Sequence, residues 1–431
     1  MDAIANSIVG APPGTTPRIT GGGAGTESAA AYRASGGYAP IEDPARLLAR
    51  IVESGLRGRG GAGFPLGTKL LSIQRHCGAG VRPVVVANGE EGEPASGKDR
   101  WLLRRRPHLV LDGLRAAATI LGADRTVVYV SDDRAADSVA AAMAELGPAE
   151  LPVPTEIVTV AAGYVAGEET AAVRAIDGGP ATPTDKPPRP YAAGVGGRPT
   201  LVSNVETLAQ LAWIHRFGAA AFRTVGTADS PGTFLATVTG AGREPAIYEL
   251  PHGYSFRALL ELHGVAAERV HGALLGGYFN GLTNSRILDA RLDHETLRAM
   301  GTGLGCGAVA LLTPDDCPVA VAASVLEYFD RENAGQCGSC FNGTAAMSAV
   351  ASALRDGGAE AADLDRLRRW STVLRGRGAC GTLDAATNAA RTLLDEFPEA
   401  VARHLVGGCA ICSTTPFAAV RPFDVEVVTS L

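Results

Sequence analysis

The chain has 431 residues, 46% hydrophobic and 19% charged, with a formal net charge of −6. That length suffices for two or three packed domains, and the composition excludes a fibrous or disordered protein. The acidic balance excludes nucleic acid as the main partner, because a phosphate-binding surface needs clustered Lys and Arg.

Residues 1–38 are rich in Gly, Ala, Thr and Pro without periodicity and predict an extended arm. Regular structure is expected to begin at Asp43-Pro44, a helix cap followed by proline at the first helical position, ahead of Leu47, Leu48, Ile51 and Val52. Strands and helices then alternate: Val84 to Val86 as a strand, Leu109 to Leu121 as a helix, Thr126 to Val130 as a strand, Ala135 to Leu146 as a helix and Ile157 to Val160 as a strand. This order predicts a mostly parallel, layered α/β domain. The basic run Arg104-Arg105-Arg106 reads as a solvated helix end or a local anion contact. After a proline-rich stretch, Pro180 to Pro199, a helix is expected near Val205 to Phe217. Shorter strands follow at Thr233 to Thr239 and Ile247 to Leu250, with a helix around Phe256 to Leu262, giving a small α+β insert of roughly 80 residues. From Pro318 onward the pattern is helical. No apolar stretch is long enough to span a bilayer, and the amino terminus lacks the order of a signal peptide, so the expectation is a cytoplasmic protein.

The segment Gly58-Arg59-Gly60-Gly61-Ala62-Gly63-Phe64-Pro65-Leu66-Gly67 contains a formal G-x-G-x-x-G. A dinucleotide turn of the Rossmann type requires a strand immediately before the first glycine, whereas a helix-like segment, Ala45 to Leu56, precedes this one. What remains is either a structural glycine loop or an anion cradle, in which backbone N–H groups, a helix N-terminus and Lys69 face a phosphate. Asn88-Gly89-Glu90-Glu91-Gly92-Glu93 follows a buried strand, at the sheet end where ligands bind in open α/β folds. Gly163-Tyr164-Val165-Ala166-Gly167-Glu168-Glu169-Thr170 follows another strand, and Ser203-Asn204 precedes a helix carrying Thr207. Glycines suit a phosphate and the acceptors suit a hydroxyl-rich chain.

Of the eight cysteines, only Cys77 lies outside the last third. Cys337-Gly338-Ser339-Cys340 alone is compatible with a redox dithiol, a zinc half-site paired with Cys409-Ala410-Ile411-Cys412, or an iron–sulfur half-site completed by Cys380. Its setting among helices argues against the dithiol.

Together these residues resemble the NADH-binding flavoprotein subunit of respiratory complex I and the related subunits of NAD-linked hydrogenases and formate dehydrogenases. Gly55 to Pro65, Gly167 to Ala171 and Asn204 to Leu208 carry the resemblance most strongly, and it runs from about Pro40 to about Leu405. The resemblance implies a layered Rossmann-like FMN-binding domain (39–228) after the arm (1–38). A ubiquitin-like SLBB domain (229–312), a four-helix iron–sulfur domain (313–406) and a tail (407–431) follow. It implies FMN binding by the Gly58 to Gly67 loop (Gly58, Arg59, Gly60, Gly61, Ala62, Gly63, Gly67) and Lys69. Further flavin contacts are implied at Asn88, Glu90, Glu91, Tyr164, Gly167, Glu168, Val202, Ser203, Asn204 and Thr207. Phe64, Glu93, Glu169 and Lys186 would hold NAD(H) or NADP(H) against the flavin. A 4Fe-4S cluster would sit on Cys337, Cys340 and Cys380. Electrons would pass from the nicotinamide nucleotide through FMN and the cluster to other electron-transfer subunits or a ferredoxin, with any membrane association arising through those partners.

Three departures bear on this, the smallest being Ser203 where the family usually has asparagine. The family's first cluster cysteine is replaced by Ala334, so Cys409 or Cys412 completes the site, a three-iron cluster forms, or the cluster is lost; completion by Cys409 is the expectation. The family's two adenine-clasping aromatics are replaced within Leu70-Leu71 and by Arg189, and Arg189 favours a 2′-phosphate. The altered adenine site motivates a second reading, a ferredoxin-linked flavoprotein without nicotinamide; a third is a non-catalytic conduit or assembly subunit that keeps the fold without turnover.

Overall fold

The computed structural model describes residues 7–21, 25–78, 80–407, 409–412 and 428–430. The arm is not extended throughout: it holds a strand, β1 (Ser7–Gly10), and a short helix, α1 (Ala29–Ala34). Two polar anchors fix it. The buried Tyr32 hydroxyl donates to Asp112 at 2.8 Å, and the N–H groups of Arg18, Ile19 and Thr20 donate to the buried carboxylate of Glu249 at 2.9–3.0 Å. Composition misses such pinning, because a few buried groups hold a segment whose remaining residues are small.

Asp43 caps α2 (Pro44–Ser54) by accepting from the Arg46 N–H at 3.0 Å, and Gly55 ends that helix at φ +69. After α3 (Leu66–His76) come β2 (Val84–Asn88), α4 (Lys98–Arg105), α5 (Pro107–Leu121), β3 (Arg125–Val130), α6 (Asp133–Ala144), β4 (Thr155–Thr159), α7 (Glu169–Ile176), β5 (Thr200–Asn204) and α8 (Val205–Arg223). The four strands are all parallel in the order β4-β3-β2-β5. Val84, Val85 and Val86 are wholly buried, as expected for a strand covered on both faces. From β2 the chain runs outward to β3 and β4, then returns to the other side of β2 at β5. The loops after β2 and β5 therefore diverge and leave a crevice at the carboxyl ends of the strands.

A second, mixed sheet follows, built from β6 (Thr233–Gly240), β7 (Arg243–Pro251), β9 (Gly272–Leu275), β10 (Leu282–Asn284) and β12 (Ala308–Leu312); β8 (Tyr254–Ser255) and β11 (Arg291–Leu292) form a separate two-stranded ladder. Its order is β10-β9-β12-β6-β7-β1-β13, so it recruits β1 and β13 (Val428–Ser430) from outside the expected 229–312 segment. Helix α9 (Phe256–Leu262) buries Phe256, Leu259 and Leu260 with Phe234, Val238 and Leu275, while α10 (His294–Ala299) follows β11. The result is an α+β unit of one mixed sheet with short helices.

The C-terminal part is helical: α11 (Pro318–Glu332), α12 (Gly338–Arg355), α13 (Ala361–Val373), α14 (Thr382–Glu396) and α15 (Pro398–Val406). Where four helices are expected, the described residues hold five, the last a short one that starts at Pro398. Its shared core includes Phe329, Met347, Leu354, Leu383 and Leu393. Among the described residues, no helix is long and apolar enough to cross a membrane.

Candidate functional site

The glycine-rich loop joins α2 to α3, the helix-first context its sequence predicts. It is closed on itself: Arg57 bridges Pro65, and the Gly58 N–H donates to the Phe64 carbonyl at 2.9 Å. A Cβ at Gly60 would come 3.2 Å from the Asn204 Cβ, and one at Gly63, where φ is +61, would come 2.8 Å from His294 Cε1. These two positions let the loop lie flat between the start of α8 and α10. Phe64 stands at the rim, 53% exposed.

The loop forms one wall of a 960 Å³ cavity at the carboxyl ends of the parallel strands. Gly58, Gly60, Gly61, Ala62, Gly63, Phe64 and Lys69 line it, as do Asn88, Glu90, Glu91 and Glu93 after β2. Tyr164, Gly167, Glu168 and Glu169 join them from the loop after β4, Val202, Ser203, Asn204 and Thr207 from β5 and α8, and Lys186 from the proline-rich segment. Two expected residues are not lining it. Arg59 is buried behind the loop, its backbone N–H donating to Thr207 Oγ1 at 2.9 Å and its guanidinium to the Thr233 carbonyl at 2.9 Å. Gly67 instead packs α3 on α2, where a Cβ would meet Val52 at 2.8 Å.

Sequence reasoning missed the wall opposite. Gly276, Phe279 and the run Thr302 to Cys306, all from the mixed-sheet unit, close the cavity, and Tyr191 lines it near Arg189. The glycines of Gly301 to Gly307 were the available signal. What they face depends on how the two units dock, which no local pattern encodes.

The carboxylates divide by role. Glu91 holds the start of α4, accepting from Ser96 Oγ at 2.5 Å and from the N–H groups of Asp99 and Arg100 at 3.1 Å. Glu168 caps α7 through the Thr170 N–H at 2.8 Å and pairs with Lys186 at 2.5 Å. Glu169 faces three cations: Lys69 at 3.6 Å, Lys186 at 3.8 Å and Arg189 at 3.5 Å. Burial lowers the Lys69 ammonium below its ordinary value, against the opposing pull of Glu169.

Glu93 accepts from the Tyr278 N–H at 3.0 Å, so it joins the two walls. Burial pushes its carboxyl up to about 7 from an ordinary 4.5, with the Tyr278 and Ala95 N–H groups pulling the other way. Between those two values the folded chain binds more protons than the unfolded one, so this group makes stability fall as pH rises through that window and adds no further slope above it. Thermal melts from pH 4.5 to 8 are expected to show a shallower decline for Glu93→Gln than for the wild type; equal slopes would assign the titration elsewhere.

Cys337 caps α12, Cys340 lies one turn on, and the Cys380 loop closes over both. Ser339 Oγ donates to the Arg377 carbonyl at 2.6 Å, and the Ala379 N–H lies 3.5 Å from Cys337 Sγ. Burial, with Cys380 and Cys337 nearby, pushes the Cys340 thiol up to about 12. Cys380 also lines the cavity. Cys409, expected to complete this group, is placed elsewhere, beside Cys317, His404 and Cys412. The expectation fails because α15 turns the chain end toward the start of α11, so its thiols meet Cys317.

A family model described as the Nuo51 FMN-binding domain matches residues 51–213, and one described as the NADH-ubiquinone oxidoreductase-F iron-sulfur binding region matches residues 320–404. The chain is 32% identical over 395 residues to the NADH-quinone oxidoreductase F 2 subunit of Rhizobium meliloti (strain 1021), covering 87% of this chain and 93% of that protein. It is 30% identical over 378 residues to the NADP-reducing hydrogenase HndC subunit of Solidesulfovibrio fructosivorans, covering 84% of this chain and 76% of that one. A crystal structure of an NAD+-reducing NiFe-hydrogenase in the H2-reduced state matches with a TM-score of 0.79 at 31% identity, over 85% of this chain and 63% of that chain. The chain belongs to the family of FMN- and iron–sulfur-binding redox subunits that includes the F subunits of NADH-quinone oxidoreductases and their hydrogenase counterparts.

Proposed function

We propose that this chain accepts electrons from NAD(P)H and relays them, through FMN and a cluster on Cys337, Cys340 and Cys380, to a partner electron-transfer protein. The observation that carries this reading is that Cys380 and the Gly58 to Gly63 loop line one cavity, in which donor, relay and exit would share a single enclosure. The donor set suits FMN. Flat glycine backbone, the start of α3 and Lys69 offer N–H groups and charge to a phosphate, while Asn88, Asn204 and the carboxylates offer partners to hydroxyls. When bound, FMN supplies conversion between paired and single electrons.

The residues of this chain bind, orient and exclude water. Phe64 at the rim, with Glu93 and Glu169 on the lining, would hold the nicotinamide nucleotide in the cavity. The missing adenine aromatics have substitutes: Tyr191 lines the cavity with an aromatic face and Arg189 is exposed beside it, a guanidinium able to stack on a base and to pair with a 2′-phosphate. The Cys306 and Leu304 wall, together with Tyr164 packed at 5.0 Å on Phe329, shields the side toward the cluster. Anaerobic stopped-flow mixing is expected to bleach the flavin with NADPH as well as with NADH. Bleaching by neither would overturn the nicotinamide reading in favour of a ferredoxin-linked one.

A further inference from the structure

Cys317, His404, Cys409 and Cys412 each present one donor atom, and the four atoms all lie within 4.8 Å of one another. None of the four lines the cavity. His404 Nε2 is 3.5 Å from Cys317 Sγ and 3.2 Å from Cys412 Sγ. Around one tetrahedral zinc ion, with bonds of about 2.3 Å to sulfur and about 2.0–2.1 Å to nitrogen, the S···N edge is about 3.5 Å and the S···S edge about 3.8 Å. The two S···N distances lie within about 0.3 Å of the S···N edge, and no two of the donor atoms are farther apart than 4.8 Å. A cubane spreads its thiolates much more widely, because each binds a different iron.

Three features of the surroundings suit ligation. The imidazole is buried, 1% exposed, and its Nδ1 lies 2.8 Å from the Ala400 carbonyl. The ring therefore donates from Nδ1 and turns the Nε2 lone pair toward the sulfurs, the usual outer contact of a metal-binding histidine. Cys317 stands at the N-cap position of α11, the helix end whose free N–H groups favour a thiolate. In the Cys409-x-x-Cys412 turn, the N–H groups of Ile411 and Cys412 reach the Cys409 sulfur. All four cysteine and histidine ligands come from the protein and leave no open position, which is the pattern of a structural rather than a catalytic centre.

We propose that Cys317, His404, Cys409 and Cys412 hold one zinc ion, which clasps the segment after α15 to the start of α11. Thiolates with a neutral imidazole select zinc over the harder divalent ions. The clasp also assigns Cys409 to zinc and not to the iron–sulfur group. It stands or falls independently of the redox reading.

The test uses the full chain purified anaerobically without added metal, with zinc and iron quantified separately. About one zinc per chain is expected in addition to iron, falling to near zero in Cys409→Ser and in His404→Gln while the iron content stays at the wild-type level. Loss of iron with zinc retained in Cys409→Ser would make Cys409 a cluster ligand and overturn the proposal, as would no change in either metal. Zinc-edge X-ray absorption on the unmodified chain gives an answer that does not depend on the variants folding. Three sulfurs at about 2.3 Å and one nitrogen at about 2.0–2.1 Å are expected; absence of zinc, or an oxygen-dominated shell, would overturn it.

Discussion

Lys98→Ala is expected to destabilise the chain by about 3–5 kcal/mol, the cost of breaking a buried ion pair from one side. Lys98 sits beneath the cavity floor with its Nζ 2.7 Å from Asp99 Oδ1 and 2.9 Å from Glu206 Oε2, and all three side chains are nearly inaccessible. Burial alone would lower the Lys98 ammonium, but Asp99, Glu206 and Glu91 outweigh it and hold the group above its ordinary value. Asp99 is pushed up to about 7 by burial even with Lys98 beside it, and it also accepts from Asn204 Nδ2 at 2.6 Å. Without the ammonium, two carboxylates remain in a poorly solvated place, with Arg59 the nearer cation to Glu206 at 3.7 Å. Denaturant unfolding checks the value. Lys98→Met should cost nearly as much, because the charge and not the volume matters, and pairing it with Asp99→Asn should recover part of the loss. A penalty below about 1 kcal/mol would place the network among surface pairs of little worth.

Ala334→Cys is expected to change the iron chemistry outright. The described residues bring three thiols together at Cys337, Cys340 and Cys380, and Ala334 sits at the turn leading into them, where Asn333 Oδ1 accepts the Gly335 N–H at 2.9 Å. A four-iron cluster held by three thiolates has one iron without a protein sulfur, and that iron is the one oxygen removes first. The wild type should therefore lose about one iron in four on exposure to air, with a three-iron EPR signal appearing, whereas Ala334→Cys should retain all four. Identical losses in the two proteins would mean that another group of this chain already holds the fourth iron.

Much of the flavin side was readable because its signals are local. Asp43-Pro44 dictates a cap, Val84 to Val86 dictates a strand buried on both faces, and a helix ahead of Gly58 removes the dinucleotide turn. What escaped depends on distant partners. Arg59 and Gly67 look like any other loop residues until Thr233 and Val52 are placed against them. Cys317 and His404 are 87 positions apart, and their meeting follows from the packing of α15 beside α11. The Cys306 wall of the cavity likewise exists only once the mixed-sheet unit has docked on the parallel one.

The pairing of β1 with β7 bears on the order in which the molecule is made. Arg18 and Glu249 are 231 positions apart, so β1 cannot pair with β7 until the intervening chain has been synthesised. Until then β1 lacks that strand partner, and the Arg18, Ile19 and Thr20 N–H groups lack the Glu249 carboxylate that will hold them. Contacts of this separation form late and slowly. Docking of the amino-terminal segment should thus come late in maturation, leaving a window in which the β7 edge is open to a chaperone or to a second nascent chain.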